Sequence, residues 1–503
     1  MIDLFSDLWF GMGVALSPTN VGFCFLGALL GTMIGILPGI GPTATLALLL
    51  PLTFGLPTTA AIIMLAGIYY GAQYGGSTTA ILINLPGESS SVVTSLDGYQ
   101  MARQGRAGPA LAVAALGSLF AGTVATLLVA AASPLLIQVA LRFGPADYFS
   151  LMLFGLMLAV ILAHGSVLRS IAMVVLGLAF GVVGVDIQTG EFRFTFGMIN
   201  LMEGIDFVPL AMGLFGIAEI VRNLENLHDR EGATPKVSHL WPSRDDFRRS
   251  WPAVLRGTSL GSFLGVLPGG GATLSSFASY SLEKKISREP ERFGRGAVEG
   301  VAGPESANNA AAQTSFIPLL SLGLPTNPVM ALLIGAFIIQ GVQPGPLVLT
   351  EQPELFWGLI ASMWLGNLML VIINLPLIGI WVRLLRVRYD YLFPAIILFC
   401  AIGAYSLSNN TFDVMVMLFF GGFGYLLLKF GCEPAPLLLG FILGPMMEEN
   451  LRRAMLLSRG DPAVFVTSPI SAAILALVAL SLILLALPSI RKSREEAFVE
   501  EED

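Results

Sequence analysis

Two glutamates stand beside amides and hydroxyls in stretches that are otherwise apolar: Glu88 in Asn84-Leu-Pro-Gly-Glu-Ser-Ser-Ser91, and Glu305 in Gly303-Pro-Glu-Ser-Ala-Asn-Asn309. A carboxylate at membrane depth is costly unless paired or used, so both are candidate carriers of a coupling cation, Na+ or H+. A solvated interfacial residue or a helix cap is the competing reading. The neighbouring polar groups are Ser77, Thr78, Thr79, Asn84, Ser89 and Ser90 in one region, and Ser306, Asn308, Asn309, Thr314, Ser315, Thr326 and Asn327 in the other. Amides and hydroxyls offer orientable donors to an organic anion, and their oxygens, with freed backbone carbonyls, can coordinate Na+. No acid–base pair, activated nucleophile or metal-ligand cluster accompanies them, which argues against an enzyme.

A second set of candidates is made of backbone. The segment GILPGIGPT from Gly35 returns as GVLPGGGAT from Gly265, each inside a long apolar run. Leu-Pro-Gly ends one half-helix, and Pro42-Thr43 or Ala272-Thr273 begins another. Such a beginning presents unpaired N–H groups and partial positive charge, so it binds carboxylates without a buried Lys or Arg. Gly39, Gly41, Gly269, Gly270 and Gly271 permit close approach and positive φ. A second Leu-Pro break follows in each half, at Asn84-Leu-Pro-Gly87 and at Gly323-Leu-Pro-Thr-Asn327. Packing notches and kinks are common in membrane helices; matched breaks in corresponding order in two halves point instead to a transport site. The expected binding set is therefore Gly39, Gly41, Thr43, Asn84, Gly87, Ser89 and Ser90 with Gly269, Gly270, Gly271, Thr273, Asn308, Asn309, Thr326 and Asn327.

These residues need a membrane frame to hold them. The chain has 503 residues, 55% hydrophobic and 12% charged, with mean hydropathy +0.77, too little polar surface to cover a soluble globule. Roughly ten to twelve membrane segments are expected, in an all-α polytopic fold with re-entrant hairpins and broken helices. The 56 glycines and 30 prolines suit helices interrupted around protein-lined cavities. The net charge of −7 says little of partners, and nucleic acid is not an expected ligand. Cys24, Cys400 and Cys432 read as buried small hydrophobes, and His164, His228 and His239 as loop residues, so no metal site beyond Na+ and no cofactor is expected.

Basic residues gather near 103–106, 222–256, 284–295, 383–388 and 491–494, which the positive-inside rule places in the cytoplasm. Residues 1–222 then form a first membrane repeat, with a hairpin tip near 37–43 and a broken helix near 84–91. Residues 223–252 form a cytoplasmic linker. Residues 253–488 form a second repeat, with a tip near 267–273 and a break near 323–327, and 489–503 a charged tail. The second half enters from the cytoplasm near Pro252 and is basic again by Lys284, too short a path for two crossings. Its hairpin enters and leaves on one face, and the first half is expected to run in the opposite sense. Arg452, Arg453 and Arg459 fit the alternation poorly.

At GILPGIGPTAT from Gly35, INLPGESSSVVTSLDGYQMARQGRAG from Ile83, GVLPGGGATLSSF from Gly265, GPESANNAAA from Gly303 and LGPMMEENLRRAM from Leu443, the chain resembles the large membrane subunit (TctA type) of the tripartite tricarboxylate transporter family. The matching stretches span nearly the whole chain in order. One difference is Leu324-Pro325-Thr326-Asn327, where the family more often has a Pro-Gly pair. The resemblance implies a secondary importer of tricarboxylates or related organic carboxylates in the bacterial inner membrane, driven by Na+ or H+. It further implies two partners, a small membrane subunit (TctB type) and a periplasmic solute-binding protein (TctC type). A channel or a membrane-embedded enzyme on a similar helical frame is the alternative; it would call for a continuous polar lining or a catalytic constellation.

Overall fold

The computed structural model describes residues 4–37, 39–162, 166–186, 188–225, 237, 239–267, 271–385 and 389–486. In chain order the helices are α1 (Leu4–Ala15), α2 (Pro18–Gly35), α3 (Pro42–Leu49), α4 (Thr58–Ile83), α5 (Val92–Arg103), α6 (Ala107–Ala140), α7 (Pro145–Leu162), α8 (Val167–Gly181), α9 (Phe207–Ala211) and α10 (Ala218–Glu225). A π-helical turn over Met212–Ile217 joins the last two. There follow α11 (Arg244–Val266), α12 (Gly271–Ile286), α13 (Glu299–Thr314), α14 (Phe316–Leu322), α15 (Pro328–Ile339), α16 (Val348–Glu351) and α17 (Pro353–Asn374). The last are α18 (Ile378–Leu384), α19 (Tyr389–Ser408), α20 (Thr411–Lys429), α21 (Pro434–Leu457), α22 (Val464–Thr467) and α23 (Pro469–Ala486). Strand among the described residues is one short pair, Gly184–Val185 with Phe192–Arg193.

Among the described residues, five spans are long and apolar enough to cross a membrane, Pro18–Gly35, Ala107–Ala140, Phe207–Glu225, Pro353–Asn374 and Thr411–Lys429, and shorter apolar helices accompany them. The protein is thus an all-α polytopic membrane protein. Its outer faces carry large apolar side chains such as Leu135, Leu398, Phe399 and Phe419, a surface suited to lipid and not to water.

Proline and small polar residues place the helix starts. Pro18, Pro42, Pro328, Pro353 and Pro434 each stand in the first turn of a helix, where the missing N–H costs nothing. The two Leu-Pro breaks share one construction. α4 ends on Asn84 at φ +57 and α14 on Gly323 at φ +68, a left-handed cap followed in both cases by Leu and Pro. Helix α11 begins at Arg244, inside the stretch assigned from sequence to the linker; Ser243 accepts from Asp246 N, and Asp246 accepts from Ser243 N.

The closest helix pairs repeat as well. Gly27, Gly31 and Gly35 of α2 lie against the carbonyls of Met64, Ile68 and Ala72 in α4; Gly257, Gly261 and Gly265 of α11 lie against those of Gly303, Ala307 and Ala311 in α13. With no side chain at three successive turns, the backbones approach until dispersion between main chains replaces side-chain packing. The long helices then cross over: α6 packs on α13 and α11, and α17 on α4 and α2. Tyr70 of α4 and Phe316 of α14 meet in the core between the halves, with ring centroids 6.2 Å apart.

Charged groups collect at the ends. Arg106 pairs with Asp246, Gln104 donates to Arg295 O at 2.8 Å, and Arg249 and Arg292 share Glu289, whose carboxyl they hold below its ordinary range. Buried Asp97 accepts from Gly296 N and Ala297 N, both at 2.8 Å, and from the Tyr280 hydroxyl at 3.0 Å. Arg452 pairs with Asp186 and Glu448, and Arg193 with Glu448. Arg452 is therefore neutralised by its own neighbours, the physical reason it fits poorly as a free topogenic charge.

Candidate functional site

The site grows from four helix beginnings. α3 starts after Gly41, α12 at Gly271, the chain into α5 with a 3-10 turn at Ser89–Ser91, and α15 after Asn327. Asn327 caps α15, its Oδ1 accepting from Met330 N at 3.0 Å. Gly39 at φ +79 and Gly271 at φ +44 adopt backbone conformations that side chains resist.

Contacts join these beginnings into one compartment. A Cβ on Gly41 would stand 3.6 Å from Gly87 O and 3.7 Å from Glu88 Cβ, so the first tip touches the first break. A Cβ on Gly271 would stand 3.6 Å from Asn327 Cβ, so the second tip touches the second break. Ser89 Oγ and Thr273 Oγ1 lie 2.8 Å apart, linking the first break to the second tip. Asn308 donates to Glu88 Oε1 at 3.3 Å.

Each break is locked on its own tip by a different device. Gly87 wedges beside the first hairpin, where a Cβ would stand 2.5 Å from Gly76 Cα and 2.9 Å from Gly35 O. In the second half a hydroxyl does this work. Ser315 lies 3.1 Å from Gly265 O and accepts from Asn327 Nδ2 at 3.2 Å.

Chemically, the converging helix starts present positive partial charge, with no Lys or Arg in the contacts just described. Asn308 Oδ1 and Thr326 Oγ1 are buried and lack a hydrogen-bond partner among the described residues, and such atoms call for an explanation such as a ligand or an ion. Ser89 is exposed and Glu88 half-buried, so the compartment opens onto the protein surface. Of the remaining expected residues, Ser90 is buried and Thr43 half-buried in the first turn of α3, while Asn84 is exposed and serves as the left-handed cap. Asn309 turns to α6, its amide donating to Ser118 Oγ at 2.7 Å and Glu305 O at 3.0 Å. Gly269 and Gly270 lie outside the described residues.

Glu305 forms a neighbouring centre. It is 1% exposed and receives Thr94 Oγ1 at 2.5 Å and Ser77 Oγ at 2.6 Å. Ser118 escapes a sequence reading because it is a lone hydroxyl on a helix face with no break beside it, and Thr94 because nothing local separates it from the other hydroxyls that follow the first break. Asn223 escapes it too, although its amide donates to Gly39 O at 3.1 Å; it lies at the end of α10, far from the tip in sequence.

The sequence matches the Tripartite tricarboxylate transporter TctA family over residues 21–439. It is 63% identical over 502 residues to an uncharacterized 52.8 kDa protein in the TAR-I ttuC' 3' region of Agrobacterium vitis, with 100% of each chain covered. An uncharacterized protein in the TAR-II ttuC' 3' region of the same organism is 65% identical over 242 residues, 48% of this chain and 100% of the relative. No solved structure matches.

Proposed function

Because the chain belongs to the tripartite tricarboxylate transporter TctA family, we propose that it is the permease subunit of a binding-protein-dependent secondary transporter. It imports tricarboxylates or related organic carboxylates across the bacterial inner membrane on a Na+ or H+ gradient. A small membrane subunit and a periplasmic solute-binding protein work with it. The observation that carries this reading is the meeting of four helix beginnings from both hairpin tips and both breaks, linked through Gly41 to Glu88, Ser89 to Thr273 and Gly271 to Asn327.

Carboxylate groups of the substrate lie against these N–H groups, held also by Ser89, Thr273, Asn308 and Thr326, which supplies charge stabilisation without a buried cation. Glu88 and Glu305 serve the coupling cation. The recurring glycine contacts and the crossing of α6 and α17 support two related halves of opposite topology, which rock around the fixed site to alternate access.

The test is uptake of labelled citrate and other di- and tricarboxylates into vesicles holding this chain and both partners. Uptake that needs the binding protein and an imposed ion gradient is expected. Entry independent of both, and saturating at no concentration, would refute a carrier.

A further inference from the structure

We propose that Glu305 is the site at which the transporter binds its coupling proton, with Ser77 as the hydroxyl that turns when the proton arrives or leaves, so that the coupling ion at this position is H+ and not Na+. This rests on the carrier reading and deepens it.

Counting hydrogens carries the argument. A serine hydroxyl owns one hydrogen, yet Ser77 Oγ lies 3.1 Å from Gln73 O and 2.6 Å from Glu305 Oε2. A helical serine readily turns its hydrogen back to the carbonyl four residues earlier. With Ser77 so committed, the short contact to Glu305 is satisfied by a hydrogen on the carboxyl. Glu305 Oε2–H then donates to Ser77 Oγ, Ser77 donates to Gln73 O, and Thr94 donates to Glu305 Oε1 at 2.5 Å. Every hydrogen has one acceptor. When the proton leaves, Ser77 turns its hydrogen to the carboxylate and Gln73 O loses that bond.

The charges around Glu305 agree with a proton as its partner. From α4 the facing titratable group is Tyr74, and from the first break it is Glu88, close enough to interact. α6 presents Ser118. On α5, Asp97 is taken up by Tyr280 and the amides of Gly296 and Ala297. On α11 and α12, Arg256 and Glu283 are paired with each other at 2.6 Å. No cation pairs with Glu305 among the described residues, and a bare carboxylate buried to 1% exposure would bear the full desolvation penalty. Two hydroxyls on separate helices are too few oxygens to replace the shell of a Na+ ion, whereas one proton needs only one acceptor.

A way in exists. A cavity of about 20 Å³ borders Glu305, with Tyr74, Ser77, Thr78, Ser118 and Asn374 on its wall, room for about one water molecule. Asn374 Oδ1 is buried there without a hydrogen-bond partner among the described residues, so a water can donate to it and pass a proton to Glu305. The step balances: the cavity water takes up a proton from the aqueous phase, passes one to the carboxylate and is left as neutral water, while the hydroxyl of Ser77 rotates.

The test uses infrared spectroscopy of the purified chain at neutral pH and transport by proteoliposomes containing it with both partner subunits. Wild type should give the carbonyl stretch of a protonated carboxylic acid, shifting in D2O. Glu305→Gln should lose it and Glu88→Gln keep it. Glutamine can still accept from Thr94 and donate to Ser77, so the fold is preserved. With the membrane potential clamped, one proton per cycle lets one unit of pH gradient sustain about a tenfold accumulation of labelled citrate. In Glu305→Gln that ratio should fall to about one, and any residual citrate exchange should lose its pH dependence. A band unchanged by Glu305→Gln, or a pH-gradient response equal to wild type, overturns the proposal. Failure of wild type to exchange any carboxylate would instead count against the carrier reading, and the infrared result would still decide the proton site.

Discussion

One helix offers the same substitution with opposite expected signs. Gly31 and Gly22 both lie in α2, and both are exchanged for alanine. At Gly22 a Cβ meets nothing within 4 Å, so Gly22→Ala should stabilise by about 0.5–1 kcal/mol through the chain entropy that glycine wastes in a helix. At Gly31 the new carbon would stand 2.8 Å from Ile68 Cα and 2.9 Å from Ile68 C, and closer still to the carbonyl oxygen. All three are main-chain atoms of α4, and none can swing aside. Since ordinary contact begins near 3.4 Å, α2 must move off by about 1 Å, a gap that forfeits up to half the dispersion at each neighbouring contact. Overpacking of this kind costs about 1–3 kcal/mol, which outweighs or cancels the entropy gain. The two variants should therefore differ by about 1–3 kcal/mol, or roughly 5- to 150-fold in the unfolding equilibrium. Reversible unfolding of the purified protein in detergent, followed by helical signal, measures it. Gly261→Ala, facing Ala307 Cα at 2.7 Å, should behave like Gly31→Ala. Equal stabilisation by Gly22→Ala and Gly31→Ala would refute the backbone contact and, with it, the placement of the first tip.

Other perturbations address the site and its supports. Gly87→Ala should part Glu88 from Asn308 and Ser89 from Thr273, abolishing citrate uptake and costing about 1–3 kcal/mol in the same unfolding assay; wild-type transport would remove the wedge from the site. Ser315→Ala should cost only about 1 kcal/mol, since the break it ties down keeps its packing, and a loss as large as that of Gly87→Ala would contradict the division between the two halves. Asp97→Ala leaves the amides of Gly296 and Ala297 and the Tyr280 hydroxyl unpaired, so a loss of about 2–5 kcal/mol is expected, and an unchanged melting profile would show the latch to be idle. Gly39→Val should keep membrane insertion but lose uptake, because valine resists φ +79 and its Cβ would collide with Asn223.

How much of this was legible in the sequence follows the kind of residue involved. The tips and breaks could be read because proline and glycine act on their own backbone: Pro42 starts α3 and Gly323 ends α14 wherever the rest of the chain goes. The role of Asn84 as a left-handed cap was hidden, since an amide beside a break suits a cap or a ligand equally. Across the fold, pairing was invisible. Nothing local to Thr94 announces Glu305, and nothing local to Asn223 announces Gly39. The start of α11 was masked by its own first turns, where Asp245, Arg248 and Arg249 read as a solvated linker although they lie on a capped helix.

The crossing of α6 and α17 also sets a timetable for synthesis. α2 and α4 can join through their glycines as soon as both have entered the bilayer, but the helix that covers them, α17, begins only at Pro353. At roughly 5–20 residues per second, the ribosome needs on the order of tens of seconds to travel from Ile83 to that point. Throughout this interval the first hairpin presents an unfinished face inside the membrane, while α6 waits likewise for α13. A message truncated between these helices therefore yields a protein without a closed core, one that the quality-control machinery of the cell should remove. Supplying the missing segment as a separate polypeptide is the one way such a fragment could reach its native packing.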